Sequence, residues 1–206
     1  MNAAAGPRRL LALGDSYTVA EGIDPAGQWP RQLAGLLRAQ GLQVGEPLIV
    51  ARTGWTTDEL DAGLDAAAPR GPFDLVSLAI GVNDQYRGRD VDGYRTRFEG
   101  LLRRTIGLAG GEPGQVLVLS IPDWGRTPFA VAGGRDAAAI GAQIDAFNAA
   151  AHAVCRARGA AFVDVTASSR AAHAPDDLAA DGLHYAAGEY ARWAALALPA
   201  ARAALA

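Results

Sequence analysis

Short apolar runs alternate along the chain with longer segments in which apolar residues recur at helical spacing. Runs of four to eight apolar residues are typical of buried strands, and repeats at i, i+3 and i+4 are typical of helices that bury one face. The pattern predicts strands at 10–13, 44–50, 73–80, 116–121 and 161–165. It predicts helices at 30–40, 56–67, 92–108, 136–158 and 187–204.

This alternation of strands and helices predicts an α/β fold in three layers. A parallel sheet of roughly five strands should lie between two layers of helices. The run at 73–80 is apolar on both faces, as a central parallel strand requires, whereas Pro47 places the segment 44–50 at an edge. Pro199 predicts a bend in the last helix. A chain of 206 residues without a polar linker is expected to form one domain, 1–206.

Composition argues against several classes of protein, including nucleic-acid-binding, disulfide-bonded and membrane-spanning ones. Half of the residues are hydrophobic, 20% are charged and the net charge is −3, so nothing indicates a nucleic-acid partner. The single cysteine, Cys155, excludes an intramolecular disulfide and a cysteine-rich zinc site, and we expect it to be a core thiol. No apolar run approaches the ~20 residues of a membrane span or forms a signal-peptide core, so we expect a cytoplasmic location. The sequence predicts no oligomeric state.

Polar and glycine residues follow the first three predicted strands. Gly14, Asp15 and Ser16 end the first strand abruptly, Gly54 follows the second, and Asn83 follows the third. Gly-Asp-Ser alone is more often a turn and a helix cap. The carboxyl ends of parallel strands share one edge of a sheet, however, so these residues can meet in one crevice. A serine hydroxyl beside such hydrogen-bond donors is what acyl transfer requires.

A fourth polar block lies near the C-terminus, where Asp181 and His184 are three residues apart. We expect this spacing to place both side chains on one face of a helical turn. The carboxylate could then hold one imidazole nitrogen while the other faces Ser16. Each residue in isolation would more often be an exposed polar group or a helix cap.

The four blocks together resemble the SGNH hydrolases, also called the GDSL family, and the resemblance runs from about residue 10 to 193. It implies a flavodoxin-like α/β/α sandwich and hydrolysis of carboxylic esters, sometimes thioesters, without a metal or other cofactor. It further implies that Ser16 is the nucleophile, that His184 is the base and Asp181 its partner, and that Ser16, Gly54 and Asn83 form the oxyanion hole. Tyr17 stands where the family usually has Leu or Ile, which should alter the pocket wall.

The substrate is less constrained than the chemistry. We expect a small-molecule ester with a small or medium acyl group; carbohydrate acetyl esters, lysophospholipids and thioesters remain open, as does acyl transfer to an alcohol. Expected substrate contacts are Asp15, Trp55, Asp84 and Trp124. Three other aromatic residues near the crevice, Trp29, Tyr86 and Phe129, are more often core than contact.

Two alternatives of other classes stay open. Asp15, Asn83, Asp84 and His184 could be ligands of a metal-dependent phosphoesterase, although an Asp-Xaa-His after the first strand is missing. The chain could also be a non-catalytic flavodoxin-like binding domain, although it has no glycine-rich phosphate loop. We expect His152 and His173 to take no part in the site.

Overall fold

All five predicted strands are present in the computed structural model, which describes residues 6–172 and 174–206. The strands pair in parallel throughout, in the order β2-β1-β3-β4-β5. They are β1 (Leu10–Gly14), β2 (Leu48–Ala51), β3 (Leu75–Ala79), β4 (Val116–Leu119) and β5 (Ala161–Val163). The predicted parallel sheet is confirmed, and the segment that contains Pro47 leads into an edge strand, as expected.

The five predicted long helices are also present, and the described residues contain four short α-helices that the pattern did not predict. The long helices are α2 (Trp29–Ala39), α3 (Thr57–Ala67), α5 (Val91–Leu108), α7 (Ala137–Arg158) and α9 (Ala187–Leu205). The short ones are α1 (Ser16–Val19), α4 (Val82–Tyr86), α6 (Pro128–Ala132) and α8 (Thr166–Ala171).

Helices cover both faces of the sheet and so complete the three layers. Helices α2 and α9 pack against each other on one face, and α3, α5 and α7 cover the other. Every residue of β1 and β3 is buried, because these strands lie inside the sheet with helices above and below. Cys155 of α7 is fully buried, as predicted, and burial raises the pKa of its thiol to about 12. None of the described helices is long and apolar enough to cross a membrane.

Local sequence signals account for several helix boundaries. Glu59 accepts a hydrogen bond from the backbone N–H of Thr56 at 2.9 Å, as in the capping boxes that begin many helices. Asp136 caps α7 through the N–H groups of Ala138 and Ala139. Helix α9 continues through Pro199 without interruption.

The strand order reverses direction at β1, since its neighbours are β2 on one side and β3 on the other. Gly14 pairs with Ala51 and with Ala79, so all three strands end at the same level. Ligands in open α/β sheets bind beyond the carboxyl ends of the strands at such a reversal. A ligand site is therefore expected at the residues just after β1, β2 and β3.

Asp15 connects the end of β1 to α1 and is almost completely buried, with 2% of its surface exposed. Its carboxylate caps α1 by accepting a hydrogen bond from the backbone N–H of Tyr17 at 3.0 Å. Burial and, to a lesser extent, the charge of Asp84 raise the pKa of Asp15 to about 7, although the bond from Tyr17 opposes the shift. The protein therefore favours the neutral carboxyl at this position.

Replacing Asp15 should remove a pH dependence of folding. Because the pKa of Asp15 rises from 3.8 to about 7 on folding, the folded protein binds more protons in this window, and stability must fall as the pH rises through it. The full loss is about 4 kcal/mol, from ~1.36 kcal/mol per pKa unit. Asp15→Asn keeps the acceptor for Tyr17 and does not titrate.

Urea unfolding of both proteins from about pH 4 to about pH 8 measures this effect. Asp15→Asn should gain stability relative to the native protein as the pH rises, while the exposed control Asp92→Asn should follow the native curve. Parallel curves for the native protein and Asp15→Asn would contradict the assignment.

Candidate active site

A cavity of about 170 Å³ opens at the carboxyl edge of the sheet, between the ends of β1 and β3. It contains the predicted nucleophile and base, Ser16 and His184, and one predicted oxyanion-hole residue, Asn83, and the rest of its wall is apolar or aromatic. The lining residues are Ser16, Tyr17, Val82, Asn83, Tyr86, Trp124, Phe129, Leu183 and His184.

Ser16 is the first residue of α1 and reaches the cavity although only 5% of its surface is exposed. Its backbone N–H lies in the first turn, where no acceptor exists within the helix, and is therefore available to a ligand. The next residue, Tyr17, packs against His184 with ring centroids 5.3 Å apart and against Tyr185 at 5.7 Å. Tyr17 thus holds the short helix against the segment that carries the histidine.

Asp181 and His184 form a close pair. Nδ1 of His184 lies 2.5 Å from Oδ2 of Asp181. The other carboxylate oxygen accepts the backbone N–H groups of Leu183 and His184 at 2.9 and 3.0 Å. One carboxylate therefore fixes both the turn and the imidazole that the turn presents.

The expectation that this pair lies on a helical turn is wrong. The segment 180–184 is a turn outside any helix, and an antiparallel bridge between Leu178 and Tyr185 closes it. The carbonyl of His184 also accepts the N–H of Ala179, the residue just before this segment, at 2.8 Å. Two side chains three residues apart meet here because the chain folds back on itself.

Opposing effects set the pKa of Asp181. Partial burial raises it, but the hydrogen bonds from the imidazole and the two backbone N–H groups outweigh burial and lower the pKa below its usual range. The carboxylate is therefore ionised at neutral pH and can only accept, which assigns the proton of the pair to Nδ1 of His184. Nε2 of a neutral His184 is then free to accept a proton. Among the described residues, no direct hydrogen bond joins Ser16 to His184, and such bonds are often long without substrate.

Asn83 lines the cavity from α4, and its position is fixed by the neighbouring turn. Its Nδ2 donates to the carbonyl of Trp55 at 3.0 Å, which leaves the second N–H of the amide for another acceptor. Gly81, at the end of β3, adopts a φ of +124°, and a Cβ there would lie 2.8 Å from the ring of Tyr94. Only glycine lets the chain pass this point and start α4 with Asn83 facing the cavity.

Gly54 lies in the turn after β2, beside the cavity wall and not in it. It adopts a φ of +84°, in the region that favours glycine. Arg87 donates to its carbonyl at 2.6 Å, and within the described part of the chain its N–H has no acceptor. The structure therefore links Gly54 to Asn83 through Trp55 and leaves its N–H available.

The four predicted substrate contacts differ in their placement. Trp124 lines the cavity and donates from Nε1 to Gln85 at 2.9 Å. The ring of Trp55 lies against Gly63 in an adjacent cleft, so only its carbonyl contributes to the site, by holding Asn83. The expectation of side-chain contact at Trp55 is therefore not met.

Asp15 and Asp84 lie beneath the cavity and do not line it, so the structure contradicts both as substrate contacts. Asp84 is completely buried, and its Oδ2 accepts the N–H and hydroxyl groups of Thr57 at 2.9 and 2.8 Å. Its Oδ1 accepts from Arg89 at 3.0 Å. Asp84 anchors α4 to the start of α3, and Asp15 caps α1.

Several residues that line the cavity were not predicted from the sequence. Val82 and Leu183 directly precede Asn83 and His184, so adjacency to the motifs was the available signal. Tyr86 and Phe129 had been assigned to the core, yet they are 43% and 40% exposed and line the cavity.

The remaining aromatic and histidine residues singled out in the sequence lie outside the cavity wherever the structure describes them. Trp29 is fully buried in the core, as expected. His152 lies outside the cavity, on the surface of α7, where it stacks on Phe162 with centroids 4.8 Å apart. His173 falls outside the described residues.

Comparisons with known structures show the same fold in several solved proteins. TesA is 22% identical, with a TM-score of 0.73 over 94% of this chain and 97% of its own. A lipase/acylhydrolase from Enterococcus faecalis is 23% identical, with a TM-score of 0.67 over 93% and 94%. Axe2, an acetylxylan esterase from Geobacillus stearothermophilus, is 21% identical, with a TM-score of 0.69 over 95% of each chain. No curated protein matches the sequence.

The family comparison covers most of the chain. The model of the GDSL-like Lipase/Acylhydrolase family matches residues 12–192, a span that includes Ser16, Asn83 and His184 together with most of β1 and all of the other four strands. The chain therefore belongs to the GDSL-like lipase/acylhydrolase family of hydrolases.

Proposed function

We propose that the protein hydrolyses carboxylic esters of small acyl groups through an acyl-enzyme on Ser16. The observation that carries this proposal is the pair formed by Asp181 and His184, whose imidazole lines the same cavity as the hydroxyl of Ser16. A serine, an imidazole and a carboxylate in this relation can generate a nucleophile at neutral pH.

His184 acts as the general base. Nε2 accepts the proton of Ser16 as Oγ attacks the ester carbonyl, and it returns that proton to the departing alcohol oxygen. Asp181 holds the imidazole in the required tautomer and stabilises its positive charge. Water then repeats the sequence on the acyl-enzyme and releases the acid.

Three donors stabilise the oxyanion that forms on the carbonyl oxygen. These are the backbone N–H groups of Ser16 and Gly54 and the free N–H of the Asn83 amide. Arg87 holds Gly54 by donating to its carbonyl, and the bond to the carbonyl of Trp55 holds the amide of Asn83. Both donors are therefore in place before the substrate arrives. Preorganised donors of this kind supply most of their stabilisation to the transition state.

The size of the cavity favours small acyl groups. Its volume of about 170 Å³ is below the ~300 to 1,000 Å³ of cavities that hold drug-sized ligands. Trp124 and Phe129 form part of its wall. Acetyl and butyryl esters are therefore the substrates we propose, and a sugar or aryl group can serve as the alcohol.

The hydrogen bonding of Asp84 does not favour the metal-dependent alternative. Both of its oxygens already accept bonds, from Thr57 and from Arg89, and the residue is completely buried. A carboxylate with these partners would have to release them to bind a metal ion.

Removing the hydroxyl of Ser16 should abolish ester hydrolysis. We expect the native protein to cleave p-nitrophenyl acetate and butyrate with or without a chelator, and Ser16→Ala to lose at least about a thousandfold in kcat. The control is Ser77→Ala, a buried serine of β3 outside this cavity, which should retain activity. Activity lost to the chelator, or retained in Ser16→Ala, would refute the serine mechanism.

Asn83→Ala should lower turnover with little effect on substrate binding. The amide of Asn83 bonds to charge that develops only in the transition state, so kcat should fall about 10²- to 10³-fold while KM stays within about twofold. Steady-state kinetics on p-nitrophenyl acetate measures the split. Unfolding curves control for the bond to Trp55, and a folded variant with native kcat would remove Asn83 from the oxyanion hole.

Phe129→Ala should shift the acyl preference toward longer chains. The ring is 40% exposed and forms part of the cavity wall, so its removal enlarges the space without emptying the core. We expect the ratio of kcat/KM for p-nitrophenyl octanoate to that for acetate to rise about tenfold. Val131→Ala, on the same helix but outside the cavity wall, should leave the ratio unchanged. An unchanged ratio in Phe129→Ala would show that this wall does not limit the acyl group.

A further inference from the structure

One side of the cavity is a cluster of three aromatic rings, Tyr86, Trp124 and Phe129. The Tyr86 and Trp124 rings meet edge to face with centroids 5.4 Å apart, and Phe129 lies 6.4 Å from Tyr86 and 6.2 Å from Trp124. Gln85 fixes Trp124 by a hydrogen bond and itself donates to Gln143 at 2.8 Å. The cluster is therefore a held surface, of which Tyr86 and Phe129 form the exposed part.

Arg135 lies over the ring of Tyr86, with its guanidinium carbon 5.4 Å from the ring centroid. Its backbone is anchored, because its N–H donates to the carbonyl of the buried Ala130 at 3.0 Å, beyond the end of α6. The positive charge of Arg135 is thus held next to Tyr86, a residue of the cavity wall.

Arg135 has no ion-pair partner within residues 6–172 and 174–206, in contrast to Arg87 and Arg89 near the same site. The adjacent Asp136 uses its carboxylate to cap α7. Asp181, on the other side of the cavity, is occupied by His184. Neither carboxylate forms an ion pair with Arg135 among the described residues, so the N–H groups of the guanidinium remain available to a ligand.

The chemistry of this arrangement is specific. A guanidinium stacked on an aromatic face loses part of its hydration on that face, while the N–H groups at its edge remain free to donate. Arginine in this state binds carboxylate and phosphate groups through two parallel hydrogen bonds. A neutral ester would leave these donors to water.

We propose that Arg135 and Tyr86 form a subsite for an anionic group, a carboxylate or a phosphate, on the ester that the protein hydrolyses. The reacting ester lies at Ser16 and the small acyl group or aromatic alcohol packs against Trp124 and Phe129, while the anion reaches the rim. This inference rests on the proposed esterase function and adds the charge of the substrate to it.

Matched pairs of substrates test the subsite. One pair carries the charge in the alcohol, 4-acetoxybenzoate against its neutral methyl ester, with 4-acetoxyphenyl phosphate as the phosphate arm. The other carries it in the acyl group, mono-4-nitrophenyl glutarate against 4-nitrophenyl pentanoate. The ratio of kcat/KM for the anionic to the neutral member is measured in the native protein and in Arg135→Gln, after subtraction of the rate with Ser16→Ala.

We expect Arg135→Gln to lower this ratio at least about fivefold in one pair or in the phosphate arm, with unchanged hydrolysis of the neutral esters. Added salt should lower the ratio in the native protein and not in the variant. The control is Arg156→Gln, which removes the same charge from an exposed position on α7 about 30 Å along the helix, and it should leave the ratio unchanged.

The outcomes separate the two proposals. Neutral esters cleaved by the native protein, with the same ratios in Arg135→Gln as in the native protein, would overturn the subsite and leave the esterase intact. An equal fall of the anionic-to-neutral kcat/KM ratio in Arg135→Gln and Arg156→Gln would also overturn the subsite, because it would show an effect of net charge alone. Failure to cleave any neutral or anionic ester would instead refute the proposed function.

Discussion

The register between β1 and its two neighbours is the constraint from which the site follows. Gly14 pairs with both Ala51 and Ala79, so three strands end at one level. The chain then turns into α1 after β1 and into α4 after β3, and the first turns of these helices carry Ser16 and Asn83. A slip by one residue would invert the faces of a buried strand, and so the packing of the core also fixes the distance between these two side chains.

Two buried carboxylates beneath the cavity stabilise these turns in different ways. Asp84 is matched by Arg89 and by two donors of Thr57, so its burial is compensated by partners. Asp15 accepts a backbone hydrogen bond from Tyr17 but forms no ion pair with any residue of 6–172 or 174–206, and its pKa rises to about 7. The cap of the helix that carries the proposed nucleophile, Ser16, is therefore kept at a cost in stability at neutral pH, as is common where a site must be held in place.

The sequence predicted the architecture well because its long elements carry repeated signals. The five strands and five long helices follow from apolar periodicity. Ser16 and Asn83 were proposed as site residues because they follow strands, and His184 because of its spacing from Asp181. The Asp181–His184 turn was misassigned, since its closure depends on the bridge between Leu178 and Tyr185, which residue spacing does not reveal. The four short helices are too brief for a periodic pattern, and tertiary contacts decide whether they form.

The contrast between long periodic elements and short segments explains why the chemistry is easier to predict from this sequence than the substrate. The proposed catalytic residues follow buried strands or belong to a compact motif, where local sequence restricts what the chain can do. The wall of the cavity comes instead from α4 and α6 and the residues beside them: Tyr86, Trp124, Phe129 and, behind them, Arg135. These side chains meet only because α6 docks against the turn of His184, through the N–H of Phe129 and the carbonyl of Gly182 at 3.1 Å. We therefore expect selectivity to depend on the long-range packing of the least regular segments, and these segments can change without disturbing the sheet beside the proposed catalytic residues.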